Sequence, residues 1–210
     1  MKDIIIIGCC GCAREIAFLL EENNKIEKEW NILGFVGEGE NNLPYPILGD
    51  DEWLLARRER IFAVCAVGEP QLKKKIISKY KNAGNIDFPA IISRQALVGD
   101  RNRLGQGTVI CSGATITTDV VLGEFVTINI GATICHQTHI QDYTTIAPGV
   151  NVSGNVKIGK EAYLGVGTKV IQGISIGDRA VIGAGGVVIE NIPQNVTAVG
   201  CPTRIIRGSL

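Results

Sequence analysis

From Ile92 to Val188 every sixth residue is isoleucine, leucine or valine, seventeen times in succession. The series opens with Ile92, Val98 and Leu104 and closes with Ile176, Ile182 and Val188. A helix repeats every 3.6 residues and a plain strand every two, so neither produces a strict period of six. A chain that turns a corner every six residues does, because one aliphatic side chain per short strand then points inward. Three such strands close a triangular coil of eighteen residues, and each coil buries its apolar face only by stacking on the next. An ordinary sandwich of short strands has loops of unequal length and would lose the phase.

The positions flanking the aliphatic residue carry further information. Two residues before it the chain is mostly small, as at Thr108, Ala114, Ala132, Thr144, Ala162, Thr168, Ala180 and Gly186, which lets a narrow interior close. Glycine follows it at 105, 123, 159 and 177, with Gln141 as the exception in that column. These glycines stack on one corner, where a positive φ is expected, and Asn129 on a neighbouring corner is expected to tolerate the same conformation. The phase is unbroken from 92 to 188, so no long loop projects and a binding site has to form between subunits or against the first half of the chain. The pattern ends near Gln194, and the tail from about 190 is expected to cover the last coil.

Residues 1–84 follow a different rule. Ile4–Ile7 is an all-β-branched run suited to a buried parallel strand. Gly8-Cys9-Cys10-Gly11 turns into a helix expected over Ala13–Glu22. A second strand at Ile32–Val36 and a helix at Asp51–Arg60 follow, with Asp50 as N-cap. A third strand, Ile61–Val67, leads to a helix at Pro70–Lys81 with proline in its first turn. Strand, turn and helix in alternation predict a small doubly wound, Rossmann-like sheet. Ala83-Gly84-Asn85 punctuates its end and sets the expected domains at 1–84 and 85–210.

Charge and composition remove several classes of function. Lys plus Arg and Asp plus Glu both number 21, so no net field draws the chain to nucleic acid or an anionic membrane. No apolar run approaches the roughly 20 residues of a membrane span. The four isoleucines of the opening MKDIIIIGCC are too short for a signal-peptide core. Seven cysteines, an odd count, read as reduced thiols in the cytoplasm rather than a disulfide framework. Cys9-x-x-Cys12 has redox-motif spacing, but nothing else in the chain fits that fold. No second pair supplies the four ligands of a zinc site, so no metal is expected.

The only two histidines, His136 and His139, share one hexad. Imidazole is the side chain best tuned to take a proton near neutrality. With Ile134 pointing inward, His136 falls at or near a corner, where it can face an adjoining subunit. His139 precedes inward-pointing Ile140 and faces outward too, so spacing alone does not choose between them.

Three motifs do. Ile6-Ile7-Gly8-Cys9-Cys10-Gly11-Cys12-Ala13-Arg14-Glu15, Asn129-Ile130-Gly131-Ala132-Thr133-Ile134-Cys135-His136 and Val199-Gly200-Cys201-Pro202 together span the chain. With them the chain resembles the bacterial family of sialic acid O-acetyltransferases and bacillosamine or perosamine N-acetyltransferases. The resemblance implies a left-handed parallel β-helix behind an α/β domain, and acetyl-coenzyme A dependent transfer to a sugar amine or hydroxyl in a homotrimer. It assigns His136 as general base and Asn129 as a group near the acceptor. It sets the backbone of Gly154, Val166 and Ala184 along the pantetheine arm between adjacent prisms, and Gly154 is eighteen residues beyond His136. In the first half it implies a pocket for the nucleotide of a nucleotide-linked sugar, expected to be UDP-linked, formed by Gly8, Cys10, Gly11, Cys12, Gly37, Glu38 and Gly68. By themselves Gly8 and Gly11 between strand and helix suit a diphosphate, without the third glycine of the dinucleotide fingerprint. Three positions depart from the family. The base is flanked by neutral Cys135 and Gln137 where relatives carry an acid, Thr145 replaces a second histidine that contacts the ligands, and Cys12 replaces a loop histidine. O-acetylation of sialic acid and a non-catalytic trimeric scaffold are the competing functions. A β-helical carbonic anhydrase needs three metal-binding histidines and is set aside.

Overall fold

A computed structural model describes residues 1–39, 42–81 and 83–208. It divides into two compact units, Met1–Arg94 and Gln95–Leu210. The first contains β1 (Lys2–Cys9), α1 (Gly11–Ile26), β2 (Trp30–Gly39), β3 (Ile47–Gly49), α2 (Asp51–Leu55), β4 (Ile61–Cys65), α3 (Pro70–Tyr80) and β5 (Ile86–Asp87). Its strands lie in the order β3-β2-β1-β4-β5, and every pairing is parallel. Central β1 is flanked on both edges and covered on both faces, which is why Ile4–Ile7 are buried without alternation.

The elements expected from the sequence are present, with bounds moved by tertiary contacts. Helix α1 runs a turn further than Glu22 because buried Asn23 is anchored there. Its amide donates to the Ile92 carbonyl and accepts from the Arg94 N–H, both at 2.8 Å. Helix α2 stops at Leu55, short of Arg60, since Leu54 is its only buried residue and Arg57-Arg58-Glu59-Arg60 offers no apolar face. Asp50 does cap α2, accepting the Trp53 N–H at 2.9 Å. Strands β3 and β5 were not expected. Because β5 still pairs with β4, the first compact unit continues past the Ala83-Gly84-Asn85 punctuation.

The second unit is a left-handed β-helix of two-residue strands arranged in three parallel sheets. Register is the same throughout: Thr115↔Thr133↔Asn151 and Ile116↔Ile134↔Val152 stack on one face, Val121↔His139↔Lys157 on the next. The inward aliphatic residues from Ile110 to Val188 are all 2% exposed or less. At roughly 1.5–3 kcal/mol per buried side chain, this column supplies most of the unit's drive to fold. The small residues two places earlier also point inward. Threonine at such sites satisfies its hydroxyl on the neighbouring coil: Thr144 donates to the Gly159 carbonyl at 2.7 Å and Thr138 to that of Ser153 at 3.1 Å.

The corners correct the expectation for glycine. Left-handed φ occurs at every sixth residue from Gly107 to Gly185, three places after the aliphatic residue, and includes Gln137 and Asn155. Gly105, Gly123, Gly159 and Gly177 are outside that set, and so is Asn129. Their small size serves close approach: a Cβ on Gly159 would sit 2.5 Å from the Asp178 backbone nitrogen, and one on Gly177 2.7 Å from Gln194 Cα. The tail does more than cover the last coil. Val196–Val199 adds in parallel to Val181–Ile182, and Arg204–Gly208 then folds back antiparallel upon it.

Candidate active site

His136 stands on the turn between the strands Thr133–Ile134 and His139–Ile140. The turn is fixed from both sides. Gln137 N–H donates to the Thr118 carbonyl at 3.1 Å on one neighbouring coil, and the His136 carbonyl accepts from Asn155 N–H at 2.8 Å on the other. Gln137 takes the left-handed conformation, φ 58°, which ends the strand and turns the imidazole outward into solvent. The ring lies across Gly154 on the next coil: a Cβ there would overlap the imidazole, closest at Cε1 and Nε2. Only glycine leaves the ring its place. Gln137 Oε1 lies 3.2 Å from Nδ1, leaving Nε2 free of a hydrogen-bond partner within the turn.

Register sorts the remaining positions by corner. Asn129 is on the preceding corner of the same coil, half-buried, with Oδ1 accepting the Ile130 N–H at 2.9 Å. Val166 and Ala184, eighteen residues apart, share that corner with Ile130 and Pro148. There the Gly149, Gly167 and Gly185 N–H groups hydrogen-bond to the carbonyls of Ile130, Pro148 and Val166. Ile130 and Val166 are exposed, at 45% and 53%. Gly131, Gly149, Gly167 and Gly185 all have left-handed φ with open space where a side chain would be. Within one chain, His136 with Gly154 and Asn129 with Val166 and Ala184 therefore occupy two successive corners. His139 lies exposed on the flat face between Val121 and Lys157, away from both. Thr145 is brought to neither corner. It is 3% exposed, in register between Thr127 and Tyr163.

The first unit has a cleft of about 860 Å³ at the carboxyl ends of its strands. Gly8, Cys10, Gly37, Glu38 and Gly68 line it together. Gly8 has φ 120°, and a Cβ there would come 3.1 Å from the Ala66 carbonyl oxygen. Cys10 precedes α1 as its N-cap residue and its side chain makes no cap hydrogen bond. Gly11 follows at the start of α1. Cys12 does not line the cleft; it is half-buried, near Cys65 and Lys73. Burial pushes its thiol up to about 12 and the Cys65 thiol to about 11. Burial also brings the Lys73 ammonium, 1% exposed, down to about 8 against the opposing pull of Cys65, Cys12 and Glu69.

Several lining residues were missed from sequence. Asp50, Asp51 and Glu52 enter the cleft because they follow β3, a three-residue edge strand too short for its pattern to show. Lys75 and Lys79 enter from α3, where Lys79 and Tyr80 both hydrogen-bond to Asp51. The Asp51 carboxyl is held below its usual range: burial raises it, and those two hydrogen bonds together with the Lys79 charge outweigh burial. Gln137 was recognised only as a neutral neighbour of the base. The structure adds that it occupies the turn's left-handed residue, with its side chain at the ring.

The PglD N-terminal domain family matches residues 3–80. Among solved structures, the chain resembles PerB of Caulobacter crescentus in complex with CoA and GDP-perosamine, with TM-score 0.87 and 28% identity over 99% of this chain and 98% of that one. It is similar to the acetyltransferase domain of PglB from Neisseria gonorrhoeae FA1090 in complex with acetyl coenzyme A, with TM-score 0.88 and 27% identity over 98% and 99%. WeeI from Acinetobacter baumannii AYE aligns with TM-score 0.84 and 25% identity over 98% and 100%. Residues 3–80 match the PglD N-terminal domain family, and over nearly its whole length the chain resembles these acetyltransferase structures. No curated protein sequence matches it. Among the described residues, no group of three or more His, Cys, Asp or Glu side chains is placed to hold a metal ion, and no helix is long and apolar enough to cross a membrane.

Proposed function

We propose that the protein transfers an acetyl group from acetyl-coenzyme A to the amine of a nucleotide-linked amino sugar. The observation that carries this reading is the exposed imidazole of His136 lying across Gly154, with Nε2 free. In the step we infer, the amine lone pair attacks the thioester carbonyl while Nε2 of His136 takes the proton from nitrogen. The carbon–sulfur bond then breaks and the departing sulfur is protonated. No acyl-enzyme forms. Bringing thioester and amine together beside the base supplies most of the acceleration that such a small site can offer.

The two-corner arrangement supports a homotrimer. Asn129, Val166 and Ala184 are on one corner and His136 and Gly154 on the next, so a site using all five draws on two copies. An exposed Ile130–Val166 corner with side-chain-free glycines is suited to lie against a neighbour and against a pantetheine arm, whose amides need accessible backbone. The cleft of the first unit supports a nucleotide ligand. The uncapped start of α1 suits a diphosphate, and Glu38 with the Asp50–Glu52 segment offers carboxylates for ribose hydroxyls. The proposed sites are His136 and Asn129 for catalysis, Gly154, Val166 and Ala184 for the coenzyme, and Gly8, Cys10, Gly37, Glu38 and Gly68 for the nucleotide.

The test is coenzyme A release from acetyl-coenzyme A with a panel of UDP- and GDP-linked amino sugars, free sialic acid and no acceptor. Turnover confined to the nucleotide-linked amines is the expected result. Turnover of sialic acid alone would replace this reading with O-acetylation. No turnover with any acceptor, and no binding of acetyl-coenzyme A, would leave a scaffold.

A further inference from the structure

We infer that Gln137 is the positioning residue for His136: its side-chain amide holds the imidazole in the Nδ1–H tautomer and so frees Nε2 to act as base. The inference rests on the proposed acetyl transfer for its consequence and on the turn's geometry for its substance. Gln137 Oε1 is 3.2 Å from Nδ1, and an amide oxygen is only an acceptor, so the ring nitrogen facing it carries the proton. The neutral ring has one proton, which leaves the lone pair on Nε2.

Both partners are held where this contact is made. Gln137 occupies the left-handed corner residue, φ 58°, and its N–H is fixed on the Thr118 carbonyl. The imidazole fills the space beside Gly154 that a side chain there would take, so the next coil borders the ring on that side. On the preceding coil, Asp119 is paired with Arg101 at 3.1 Å, and both hydrogen-bond to Thr118. The following coil presents Gly154 and Asn155, both neutral, and the turn itself contributes only the Cys135 thiol. An uncharged amide therefore does the orienting. A carboxylate at this place would orient the ring equally well and also stabilise the imidazolium, so the choice of amide separates tautomer selection from charge.

Two measurements test this on the full chain. The first is the nitrogen-15 spectrum of the imidazole side chains, which has only two histidines to resolve, with His139→Gln to assign them. The neutral His136 ring is expected to carry its proton on Nδ1, and in Gln137→Ala to shift toward Nε2–H, the form favoured by free imidazole side chains. A wild-type ring protonated on Nε2 would overturn the inference whether or not any acceptor is turned over. The second is kinetic, with acetyl-coenzyme A and the accepted nucleotide-linked amine. Gln137→Ala is expected to lower kcat at least about tenfold with little change in KM, as loss of a well-placed base does. Gln137→Glu is expected to restore kcat and move the acidic limb of the pH profile up by about one unit. If the wild type is active and Gln137→Ala stays within twofold of it, or Gln137→Glu leaves the profile unmoved, the positioning role is wrong while the acetyltransferase reading stands. If the wild type turns over nothing, that reading fails and the spectrum still decides the tautomer.

Discussion

Glycine has three separate uses in this chain, and they respond differently to substitution. At Gly159 the next coil is too close for a Cβ, at Gly154 the His136 ring occupies the place, and at Gly173 the demand is only φ 75° with open space around it. Gly159→Ala should cost about 1–3 kcal/mol, because the Asp178 backbone nitrogen has to move. Gly173→Asn should cost less than about 1 kcal/mol, since asparagine tolerates that conformation and Asn155 already adopts it one coil earlier. Urea denaturation of the two variants checks this, and equal losses would contradict it. Lys73 gives a second residue-level prediction. Its pKa falls from 10.5 unfolded to about 8 folded, so the folded state binds fewer protons and stability rises with pH across that window. Lys73→Met should raise the urea midpoint at pH 7, and the gain should fade as pH climbs from about 8 to 10.5. A gain that does not change with pH would mean that Lys73 is not a buried ammonium at pH 7.

At the scale of elements, the sequence was most readable where packing repeats. The aliphatic residues from Ile110 to Val188 are inward as their period requires, because each makes the same contact with the coils on either side. Phase also located His136 on a corner and Gly154 one coil along. The hydrophobic pattern could not assign the left-handed positions, since Phe125, Tyr143 and Glu161 take that conformation as readily as the glycines in the same repeat. What those residues share is their place in the backbone, and side-chain type does not record it. In the first unit, short elements escaped for a related reason. β3 and β5 have three and two residues, too few for an alternation, and they exist because a neighbouring strand offers hydrogen bonds. The start of α2, directly after β3, brings Asp50, Asp51 and Glu52 into the cleft, so missing the strand meant missing that acidic part of the lining.

At the scale of the whole molecule, the proposed assembly follows from the separation of Asn129, Val166 and Ala184 from His136 and Gly154 by one face of the prism. A trimer should therefore be a condition of activity. Light scattering at micromolar concentration is expected to give three times the mass of one chain. Val166→Glu, which puts a charge on the exposed apolar corner, is expected to lower that mass and the turnover together. A wild-type monomer with full activity would remove the two-copy site. The central claim is narrower than the assembly and rests on one side chain. In coenzyme A release from acetyl-coenzyme A and the preferred nucleotide-linked amino sugar, His136→Ala should reduce kcat by about 10²–10⁴-fold while acetyl-coenzyme A still binds. A His136→Ala enzyme with the wild-type rate would contradict the account.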